Sequence, residues 1–389
     1  MNSNLAKKVY VGMSGGVDSS LSAALLKEQG YAVTGVYMKN WSQDLPGMKC
    51  PWAEDLADAK RVAVQLGIPF KVYDFEKEYK HLVVDYMISE YKAGRTPNPD
   101  VMCNKEVKFG LFLKAAIADG ADMIATGHYA KALRGHQMVS PQRLSTKPSF
   151  SQAKNQATCS SSFVENENYL LKAKDENKDQ TYFLYRITQD ALGKTLFPIG
   201  DLTKPEVRKE AEKRDLITAR RKESQGICFV GNVGIREFLS QYIDTKPGDI
   251  IVKESGEVVG QHDGAIYYTF GQRHNLGVGG GMPYYVVGKD MDKNEVYVST
   301  NLNDDGFWRQ EISLCDCHWI NKSPIENKKY QVRLRHRGKL LDTKVESING
   351  EKCVLKLDQP ERAVAPGQSA VLYDDEVVMG GGFVLPVEK

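Results

Sequence analysis

The chain reads VYVGMSGGVDSS from Val9 to Ser20. The apolar run Val9 to Met13 predicts a β-strand, and the helical pattern from Ser19 to Gln29, which Gly30 ends, predicts an α-helix. The glycine-rich residues between them therefore connect a strand to a helix. That order is typical of folds in which strands and helices alternate.

The same alternation continues further along the chain. Strand patterns lie at residues 32–38, 70–75 and 123–126, and helical patterns lie at residues 54–66 and 110–118. Strands that alternate with helices of this length predict a parallel sheet covered by helices on both faces. We therefore predict a doubly wound, Rossmann-like N-terminal domain that binds its ligand beyond the carboxyl ends of the strands.

The length of 389 residues is too great for one ordinary hydrophobic core, so we expect several domains. The α/β domain is predicted at residues 1–220. It carries a flexible insertion at about 134–168 that is rich in Ser, Gln, Lys and Asn. A small mixed central domain is predicted at residues 221–292, and short alternating strands predict a C-terminal β-barrel at residues 293–389.

The composition is that of an ordinary globular protein, with 41% hydrophobic and 26% charged residues. No apolar run approaches the roughly 18 residues of a membrane helix, and the start of the chain is too polar for a signal peptide. We therefore expect a cytoplasmic protein without a membrane partner. The seven cysteines have irregular spacing, which argues against a disulfide framework, and the net charge of +2 neither favours nor excludes nucleic acid.

Residues 14–19, SGGVDS, have the composition of a phosphate-binding loop. Two glycines permit a tight turn that points backbone N–H groups at phosphate oxygens, and the following helix offers its positive N-terminal end. Ser14 and Ser19 add hydroxyl donors, and Asp18 is a candidate ligand for Mg²⁺. Because the Gly-Lys-Ser/Thr ending of the Walker A motif is missing, a kinase or GTPase is disfavoured.

This pattern resembles the pyrophosphate loop (PP-loop) of the ATP-pyrophosphatase superfamily, whose HUP-type domains adenylate an oxygen atom and release pyrophosphate. Argininosuccinate synthase, GMP synthetase, NAD synthetase and lysidine synthetase resemble the loop equally well. The loop therefore predicts ATP as the cofactor and leaves the second substrate open.

Two cysteines narrow the choice of reaction and of second substrate. Residues 95–105 carry two prolines, and we expect a stiff loop that presents Asp100, a candidate proton donor or acceptor, beside Cys103. Lys105 and Lys108 would favour the thiolate form of Cys103, although a buried structural cysteine is an equally good interpretation of this stretch alone.

The second cysteine, Cys228, follows Gly226. One reactive thiol can carry sulfur as a persulfide, and another can attack that persulfide or resolve the resulting disulfide. An adenylating loop together with two thiols predicts sulfur insertion.

The motifs as a set resemble the bacterial tRNA-specific 2-thiouridylases (tRNA-uridine 2-sulfurtransferases), and they span residue 9 to about residue 385. They are SGGVDS at 14–19, NPD at 98–100 with Cys103, GHYA at 127–130, Asp175 with KDQTYFL at 178–184, GIC at 226–228 and YTFGQR at 268–273. The resemblance implies adenylation of the C2 oxygen of a wobble uridine, followed by sulfur transfer that yields 2-thiouridine, AMP and pyrophosphate. It also implies a sulfur donor, either a cysteine desulfurase or a relay protein.

The resemblance assigns roles to individual residues. Cys228 would receive the persulfide, Cys103 would be its catalytic partner, and Asp100 would be the acid or base. The residues implied to hold ATP are Gly12, Met13, Ser14, Gly15, Gly16, Val17, Asp18, Ser19, Met38 and Gly127. The residues implied to contact tRNA are Asn98, Pro99, Asp100, His128, Lys178, Asp179, Gln180, Arg335, His336 and Gln368. The insertion departs from the family pattern, and a solvated loop without a role is favoured for it, despite Lys147, Lys154 and Cys159.

Two further patterns invite interpretation. Residues 331–339 alternate, so that four cations would share one face of a strand, as a phosphate track or as a solvated sheet face: Arg333, Arg335, Arg337 and Lys339. The run CDCH at 315–318 has too few separated ligands for a structural zinc site, and we predict that Cys315, Cys317 and Trp319 share one buried strand face. No metal site is predicted from protein ligands alone.

Two alternatives remain open from the sequence. Another adenylating enzyme would release pyrophosphate without RNA and would tolerate loss of Cys228. An RNA-binding module with an inert nucleotide fold would bind tRNA with a steep salt dependence and cleave no ATP.

Overall fold

The computed structural model describes residues 6–44, 50–134, 167–222, 234–279, 282–301 and 307–386. The elements through residue 213 are β1 (Lys8–Gly12), α1 (Val17–Glu28), β2 (Ala32–Lys39), α2 (Trp52–Leu66), β3 (Phe70–Asp74), α3 (Glu76–Tyr79), a π-helical segment (Lys80–Val84), α4 (Asp85–Lys92), α5 (Pro99–Met102), a second π-helical segment (Cys103–Phe112), α6 (Leu113–Ala118), β4 (Met123–Ala125), β5 (Lys131–Arg134), β6 (Asn168–Leu171), a 3-10 turn (Thr181–Phe183), α7 (Gln189–Gly193), β7 (Thr195–Leu196) and α8 (Lys204–Lys213).

The remaining elements build the rest of the molecule. They are α9 (Ile235–Leu239), β8 (Gly248–Val252), β9 (Val258–His262), a 3-10 turn (Ala265–Tyr267), β10 (Tyr285–Asp290), β11 (Glu295–Ser299), β12 (Trp308–Trp319), β13 (Lys329–Arg333), β14 (Leu341–Asn349), β15 (Lys352–Arg362), β16 (Ser369–Asp374) and β17 (Val377–Val384). Across the ranges given above, none of the helices combines the length and the apolar character needed to cross a lipid bilayer.

The first sheet is parallel and runs in the order β3-β2-β1-β4-β7. Val9 and Val11 of β1 pack on one face with residues of α1 and α2, whereas Tyr10 packs on the other face with residues of α6. Helices therefore cover both faces, and the predicted doubly wound α/β domain is confirmed. The strand order reverses between β1 and β4, which is where a sheet of this kind binds its ligand.

The stretch that was expected to be a stiff loop, residues 95–105, is a loop only over residues 95–98, and a helix starts at Pro99. Asn98 is the N-cap, its side-chain oxygen accepts a hydrogen bond from the backbone N–H of Asp100 at 3.2 Å, and Pro99 occupies the first turn. Helical backbone then continues through the π-helical segment to Ala118. Proline is well tolerated at the first helical position, so the Asn-Pro pair was a helix-start signal that we interpreted as a loop.

The central domain is built on a four-stranded mixed sheet in the order β10-β11-β8-β9. Strands β11 and β8 are parallel, and the other neighbouring pairs are antiparallel. Ile250, Val286 and Val296 form the centre of its small core. This arrangement confirms the predicted mixed central domain, while the residue boundaries between domains stay a prediction.

The C-terminal strands close into a barrel. They run in the order β12-β15-β14-β13-β16-β17, and β12 also pairs with β17, which closes the ring. The hairpin of β5 and β6, which belongs to the N-terminal part of the chain, joins the barrel through the pairing of Leu171 with Val377. The predicted β-barrel is confirmed, and it shares a sheet with the N-terminal part of the molecule.

The predicted cationic strand face is wrong. Strand β13 ends at Arg333, and residues 335–339 form a turn in which Arg337 adopts a φ of 58°. Arg333 points inward and pairs with the buried carboxylate of Asp179 at 3.3 Å. Because a turn interrupts the period of two, Arg333 is separated from the exposed cations of the turn, Arg335, Arg337 and Lys339.

The shared buried face predicted for Cys315, Cys317 and Trp319 is also only partly correct. Cys317 and Trp319 pack against the barrel core with Ile312 and Leu314. The register of β12 shifts between Cys315 and His318, so the alternation changes phase there and Cys315 is left off that core face.

The Arg333–Asp179 pair joins the barrel to the N-terminal domain, and its side chains are only 10% and 2% exposed. Replacing Arg333 with Met leaves the carboxylate buried without its cation, so we expect a loss of about 3–5 kcal/mol in the free energy of unfolding, seen as a lower melting temperature. The matched control is Lys329→Met, which breaks an exposed pair with Asp358 at 3.8 Å and should cost about 0–1 kcal/mol. Equal effects of the two substitutions would contradict this assignment.

Candidate active site

A cavity of about 290 Å³ lies at the carboxyl ends of β1, β2 and β4, where the strand order reverses. We call it the loop cavity, because the residues that follow β1 form one of its walls. Its lining is Gly12, Met13, Ser14, Asp18, Ser19, Tyr37, Met38, Asn40, Trp41, Cys50, Pro51, Trp52, Asp55, Tyr79, Cys103, Lys108, Thr126, Gly127, His128 and Gln180. The cavity therefore contains both the phosphate-loop residues and the first of the two predicted catalytic cysteines.

The loop between β1 and α1 is held in shape by close backbone packing. Gly15 has a φ of 75°, a conformation that favours glycine, and a Cβ there would lie 2.5 Å from the backbone oxygen of Asp55. A Cβ at Gly127 would lie 2.7 Å from the backbone nitrogen of Ser19. Gly16 is the N-cap of α1 and contributes no side-chain cap, so the first N–H groups of this twelve-residue helix remain available to an anion.

The residues predicted to hold ATP fall into two groups. Seven of them line the loop cavity: Gly12, Met13, Ser14, Asp18, Ser19, Met38 and Gly127. The other three, Gly15, Gly16 and Val17, do not line it. The Val17 side chain is buried in the core beneath α1, so backbone atoms are what these three can offer to a phosphate.

Asp18, the predicted Mg²⁺ ligand, already has a cation beside it. Its carboxylate accepts hydrogen bonds from the ammonium of Lys204 at 2.8 Å and from the hydroxyl of Tyr129 at 2.9 Å. In the part of the chain described, no group of three or more His, Cys, Asp or Glu side chains could hold a metal ion. Mg²⁺ bound mainly through substrate phosphates needs only one or two protein carboxylates, and Asp18 fits that role.

Cys103 lies deep in the loop cavity and is 1% exposed. Burial raises the pKa of its thiol, while the nearby ammonium of Lys108 and a hydrogen bond from the Tyr79 hydroxyl act in the opposite direction. Lys108 therefore lowers the pKa of Cys103, as expected, but burial raises that pKa by more. Lys105 instead pairs with Glu106 at 2.8 Å. The thiol is the dominant form near neutral pH, so its activation has to accompany substrate binding.

His128, which was expected to contact RNA, is 8% exposed and lines the same cavity. Burial and the Lys108 ammonium hold the pKa of His128 well below its ordinary value, so the ring is neutral. The Nε2 atom accepts a hydrogen bond from the Lys108 ammonium at 3.3 Å, which leaves Nδ1–H to donate to the Thr126 hydroxyl at 2.8 Å. His128 thus orients the cation that faces Cys103.

Other residues that were predicted to contact RNA are dispersed around the loop cavity. Lys178, Gln180 and His336 line a neighbouring cavity of about 280 Å³ that shares Ser14, Asp18 and Gln180 with the loop cavity. Arg335 and Gln368 line a cavity beside the barrel. Asp179 is 3% exposed, and its oxygens accept hydrogen bonds from the backbone of Ala173 and from Thr181, which argues against direct contact with RNA.

Several residues of the site escaped the sequence analysis. Tyr79 contacts the Cys103 thiol, Thr126 bonds to His128, and a wall of the cavity is aromatic, with Tyr37, Trp41 and Trp52. Thr126 directly follows β4, so the rule that ligands meet strand ends would have identified it. Tyr79 approaches the site through tertiary packing of α3, and we find no local signal that marks it.

Arg221 connects the phosphate loop to its surroundings. Its guanidinium donates a hydrogen bond to the backbone oxygen of Gly15 at 2.9 Å and pairs with both Asp55 and Asp58 of α2. The backbone oxygen of Arg221 accepts from Arg208 at 3.3 Å. The charge of Arg221 therefore fixes the loop between β1 and α1. Cys228 is seven positions further along the sequence and lies outside the described residues, as do Lys147, Lys154 and Cys159.

The Cys103 environment predicts how its reactivity depends on pH. The raised pKa means that alkylation of Cys103 by iodoacetamide is slow near neutral pH and accelerates as pH rises. Lys108→Met removes the opposing cation, so the pKa should rise further and the alkylation rate at about pH 8 should fall about tenfold. Mass spectrometry of the Cys103 peptide measures the rate. Lys105→Met is the matched control, and an unchanged pH profile in Lys108→Met would show that the ammonium does not act on the thiol.

The Arg221 contacts predict a defect in nucleotide binding. Arg221→Met removes the donor to Gly15 and unpairs two carboxylates, so we expect the KM for ATP to rise about 10- to 100-fold, with partial rescue by Arg221→Lys. Steady-state kinetics with varied ATP provide the measurement. The control is Arg220→Met, because Arg220 is 91% exposed and lies 3.7 Å from Glu212. A fall in kcat with no change in KM would contradict a role in shaping the loop.

Comparisons with known proteins agree with this geometry. Family models match residues 7–232 ("tRNA methyl transferase HUP domain"), 236–300 ("tRNA methyl transferase PRC-barrel domain") and 309–384 ("Aminomethyltransferase beta-barrel domain"). Among solved structures, the NMN synthetase of Francisella tularensis covers 58% of this chain and 68% of its own, at 14% identity and a TM-score of 0.31, which is too low to support an inference.

Relatives of known name match along nearly the whole chain. The tRNA-specific 2-thiouridylase MnmA of Streptococcus sanguinis is 43% identical over 99% of this chain and 96% of its own length. The proteins of the same name from Bacillus subtilis, 43% identical over 98% of this chain and 96% of its own, and from Staphylococcus saprophyticus, 44% identical over 100% and 97%, are similar to the same degree. The chain therefore belongs to the tRNA-specific 2-thiouridylase family.

Proposed function

We propose that this chain is an ATP-dependent tRNA-uridine 2-sulfurtransferase that converts the wobble uridine of tRNA to 2-thiouridine. The observation that carries the proposal is the position of the Cys103 thiol in the same cavity as the phosphate loop. Membership of the 2-thiouridylase family supports it, and the reaction takes place in the cytoplasm, where tRNA and reduced thiols occur together.

The first step activates the base. Residues 14–19 and the first turn of α1 would hold the phosphates of ATP through their N–H groups, and Tyr37, Trp41 and Trp52 would line the space for the rest of the nucleotide. The uracil C2 oxygen attacks the α-phosphorus, the bond to the β-phosphate oxygen breaks, and pyrophosphate leaves. When Mg²⁺ is bound to the phosphates, it neutralises their charge, and Asp18 is the side chain that would hold it.

The second step transfers sulfur. A cysteine desulfurase or a relay protein first loads Cys228 with a persulfide. The outer sulfur of that persulfide becomes bonded to C2, and the C2–oxygen bond breaks as AMP leaves. The Cys103 thiol attacks the inner sulfur, so that both thiols are oxidised to a disulfide while the transferred sulfur is reduced. A thiol reductant then restores the enzyme for another cycle.

The proton leaving Cys103 needs an acceptor within the site. Asp100 and Cys103 lie three positions apart on one helix, so their side chains lie on the same side of it. The Asp100 charge acts on the thiol and raises its pKa. A carboxylate at that position can take the thiol proton while Lys108 stabilises the sulfur anion. Asn98, as the helix N-cap, fixes the start of the helix that carries both groups.

The proposal predicts the outcome of one experiment. Unmodified tRNA is incubated with the protein, Mg-ATP, cysteine and a cysteine desulfurase, and thiolated tRNA is detected by its retardation in a mercury-containing gel. We expect a retarded band that requires ATP and is reduced by at least about 10³-fold in Cys228→Ser and in Cys103→Ser.

Two controls make the experiment decisive. Cys353→Ser, which alters a thiol buried in the barrel core, should keep the activity if the fold is retained. Absence of a retarded band when mass spectrometry confirms a persulfide on Cys228 would contradict sulfur transfer, and pyrophosphate release without RNA would favour a different adenylating enzyme.

A further inference from the structure

Tyr79 is a buried residue of the loop cavity that the steps proposed above do not use. It is the last residue of α3, its side chain is 1% exposed, and it lines the cavity together with Cys103. The Tyr79 hydroxyl donates a hydrogen bond to the sulfur of Cys103. A phenol group inside an apolar core is costly unless its O–H has a partner, and Cys103 provides one.

The surroundings of the Tyr79 ring are apolar. Tyr79 and Cys103 belong to one hydrophobic cluster, which also contains Trp41, Val83, Val84, Met87, Tyr91, Val107, Phe238, Leu239 and Ile266. Close packing of this kind holds an aromatic ring in one orientation, so the hydroxyl keeps its position beside the sulfur. In such a medium a hydrogen bond to an anion is stronger than it is in water.

The backbone on both sides of this contact is irregular. The π-helical segment Lys80–Val84 starts directly after Tyr79, and Cys103 is the first residue of the π-helical segment Cys103–Phe112. The first of these segments packs against the second. A π-helical turn shifts the phase of a helix, and such turns are frequent at functional sites. Both partners of the contact therefore lie where the helical register changes.

The charged groups that act on Cys103 come from its own helix, whereas Tyr79 comes from another element. Lys108 lowers the pKa of the thiol, and burial and Asp100 raise it. The Lys108 ammonium also donates a hydrogen bond to His128 at 3.3 Å, so it is shared between two groups. The other titratable groups that line the loop cavity are Asp18, Tyr37, Cys50 and Asp55. Tyr79 is therefore the neutral donor that reaches the sulfur from across the cluster.

The contact has its largest effect when Cys103 reacts. In the proposed second step, Cys103 loses its proton to Asp100, and its sulfur is an anion when it attacks the inner sulfur of the persulfide. An O–H donor stabilises this anion more than the thiol, because the hydrogen bond becomes charge-assisted. The Tyr79 proton stays on the phenol oxygen. An electron pair of Cys103 forms the new S–S bond, and the pair of the broken S–S bond stays on the sulfur attached to C2.

We propose that Tyr79 is a positioning residue for sulfur transfer: its hydroxyl fixes the Cys103 sulfur and stabilises the negative charge that this sulfur carries during its attack on the persulfide. The inference rests on the proposed function for the role of Cys103. It assigns a task to a residue that lies outside all the sequence motifs named above.

The test removes the hydroxyl and keeps the ring. Loss of a donor to the sulfur raises the pKa of the thiol, so Tyr79→Phe should have a smaller thiolate fraction. The pH profile for alkylation of Cys103 by iodoacetamide should move about one pH unit higher, and the rate near neutral pH should fall about three- to tenfold. Mass spectrometry of the Cys103 peptide measures the rate. In the thiolation assay, kcat should fall about tenfold, with unchanged KM values for ATP and tRNA.

Tyr91→Phe is the matched control. Tyr91 is 8% exposed in the same cluster and lies outside the lining of the loop cavity, so loss of its hydroxyl should leave both the alkylation profile and kcat unchanged. Circular dichroism and thermal unfolding check the fold of each variant. If Tyr79→Phe does not fold, site-specific replacement of Tyr79 with 3-fluorotyrosine supplies a more acidic phenol of nearly the same size. This stronger donor should move the alkylation profile of Cys103 to lower pH.

The inference is overturned if either the alkylation profile or kcat of Tyr79→Phe matches the wild type, or if the 3-fluorotyrosine protein keeps the wild-type profile. Equal losses in Tyr79→Phe and Tyr91→Phe would also overturn it, because they would show an effect of packing alone. Failure of the proposed function is seen separately: the wild-type protein would then not thiolate tRNA, whereas the alkylation profile can be measured without that activity.

Discussion

The packing of Gly127 against the backbone of Ser19 fixes the geometry on which the site depends. It brings the end of β4 within van der Waals reach of the start of α1, and with Gly15 beneath Asp55 it leaves the loop little freedom. The N–H groups of the loop and of the first helical turn are thereby aimed at one place before any ligand arrives. Pre-organised donors of this kind need no rearrangement when negative charge develops on a phosphate.

The helix whose N-cap is Asn98 connects the loop cavity with all three domains. Its first residues carry Asp100 and Cys103, its continuation packs beneath the sheet, and the chain just before it is hydrogen-bonded to the central domain and to the barrel through Thr96. The Cys103 thiol is therefore not placed by the α/β domain alone. The barrel and central domain hold the chain that leads into this helix, while the α/β domain supplies the loop at residues 14–19.

Much of this architecture could be predicted because it is encoded locally. The run from Val9 to Ser20 contains its own strand, turn and helix start. The errors arose where local patterns have two meanings. Asn98-Pro99 serves a helix start as well as a loop, and the alternating cations from Arg333 to Lys339 are divided between the inward-facing end of β13 and the turn that follows it, which only the tertiary structure shows.

The sequence predicted several of the groups that lie in the site, but it did not predict which effect on their pKa values is the larger or which partners they contact. The sequence supplies a cysteine with lysines nearby, and it cannot indicate that Cys103 is buried deeply enough for desolvation to outweigh Lys108. Nor can it indicate that His128 faces inward to orient that lysine, or that Arg221 binds the loop from a position more than two hundred residues away. These facts depend on which surfaces meet, which no short window of sequence contains.

The hairpin formed by β5 and β6 has a consequence for engineering the protein. Their antiparallel pairing, from Lys131 with Leu171 to Arg134 with Asn168, brings the two ends of residues 135–166 side by side. When the ends of a connection are already held together, each doubling of its length costs only about 0.6 kcal/mol. This position is therefore suited to carrying a fluorescent or affinity module, inserted or exchanged there, with the sheet that joins the N-terminal α/β domain to the barrel kept intact.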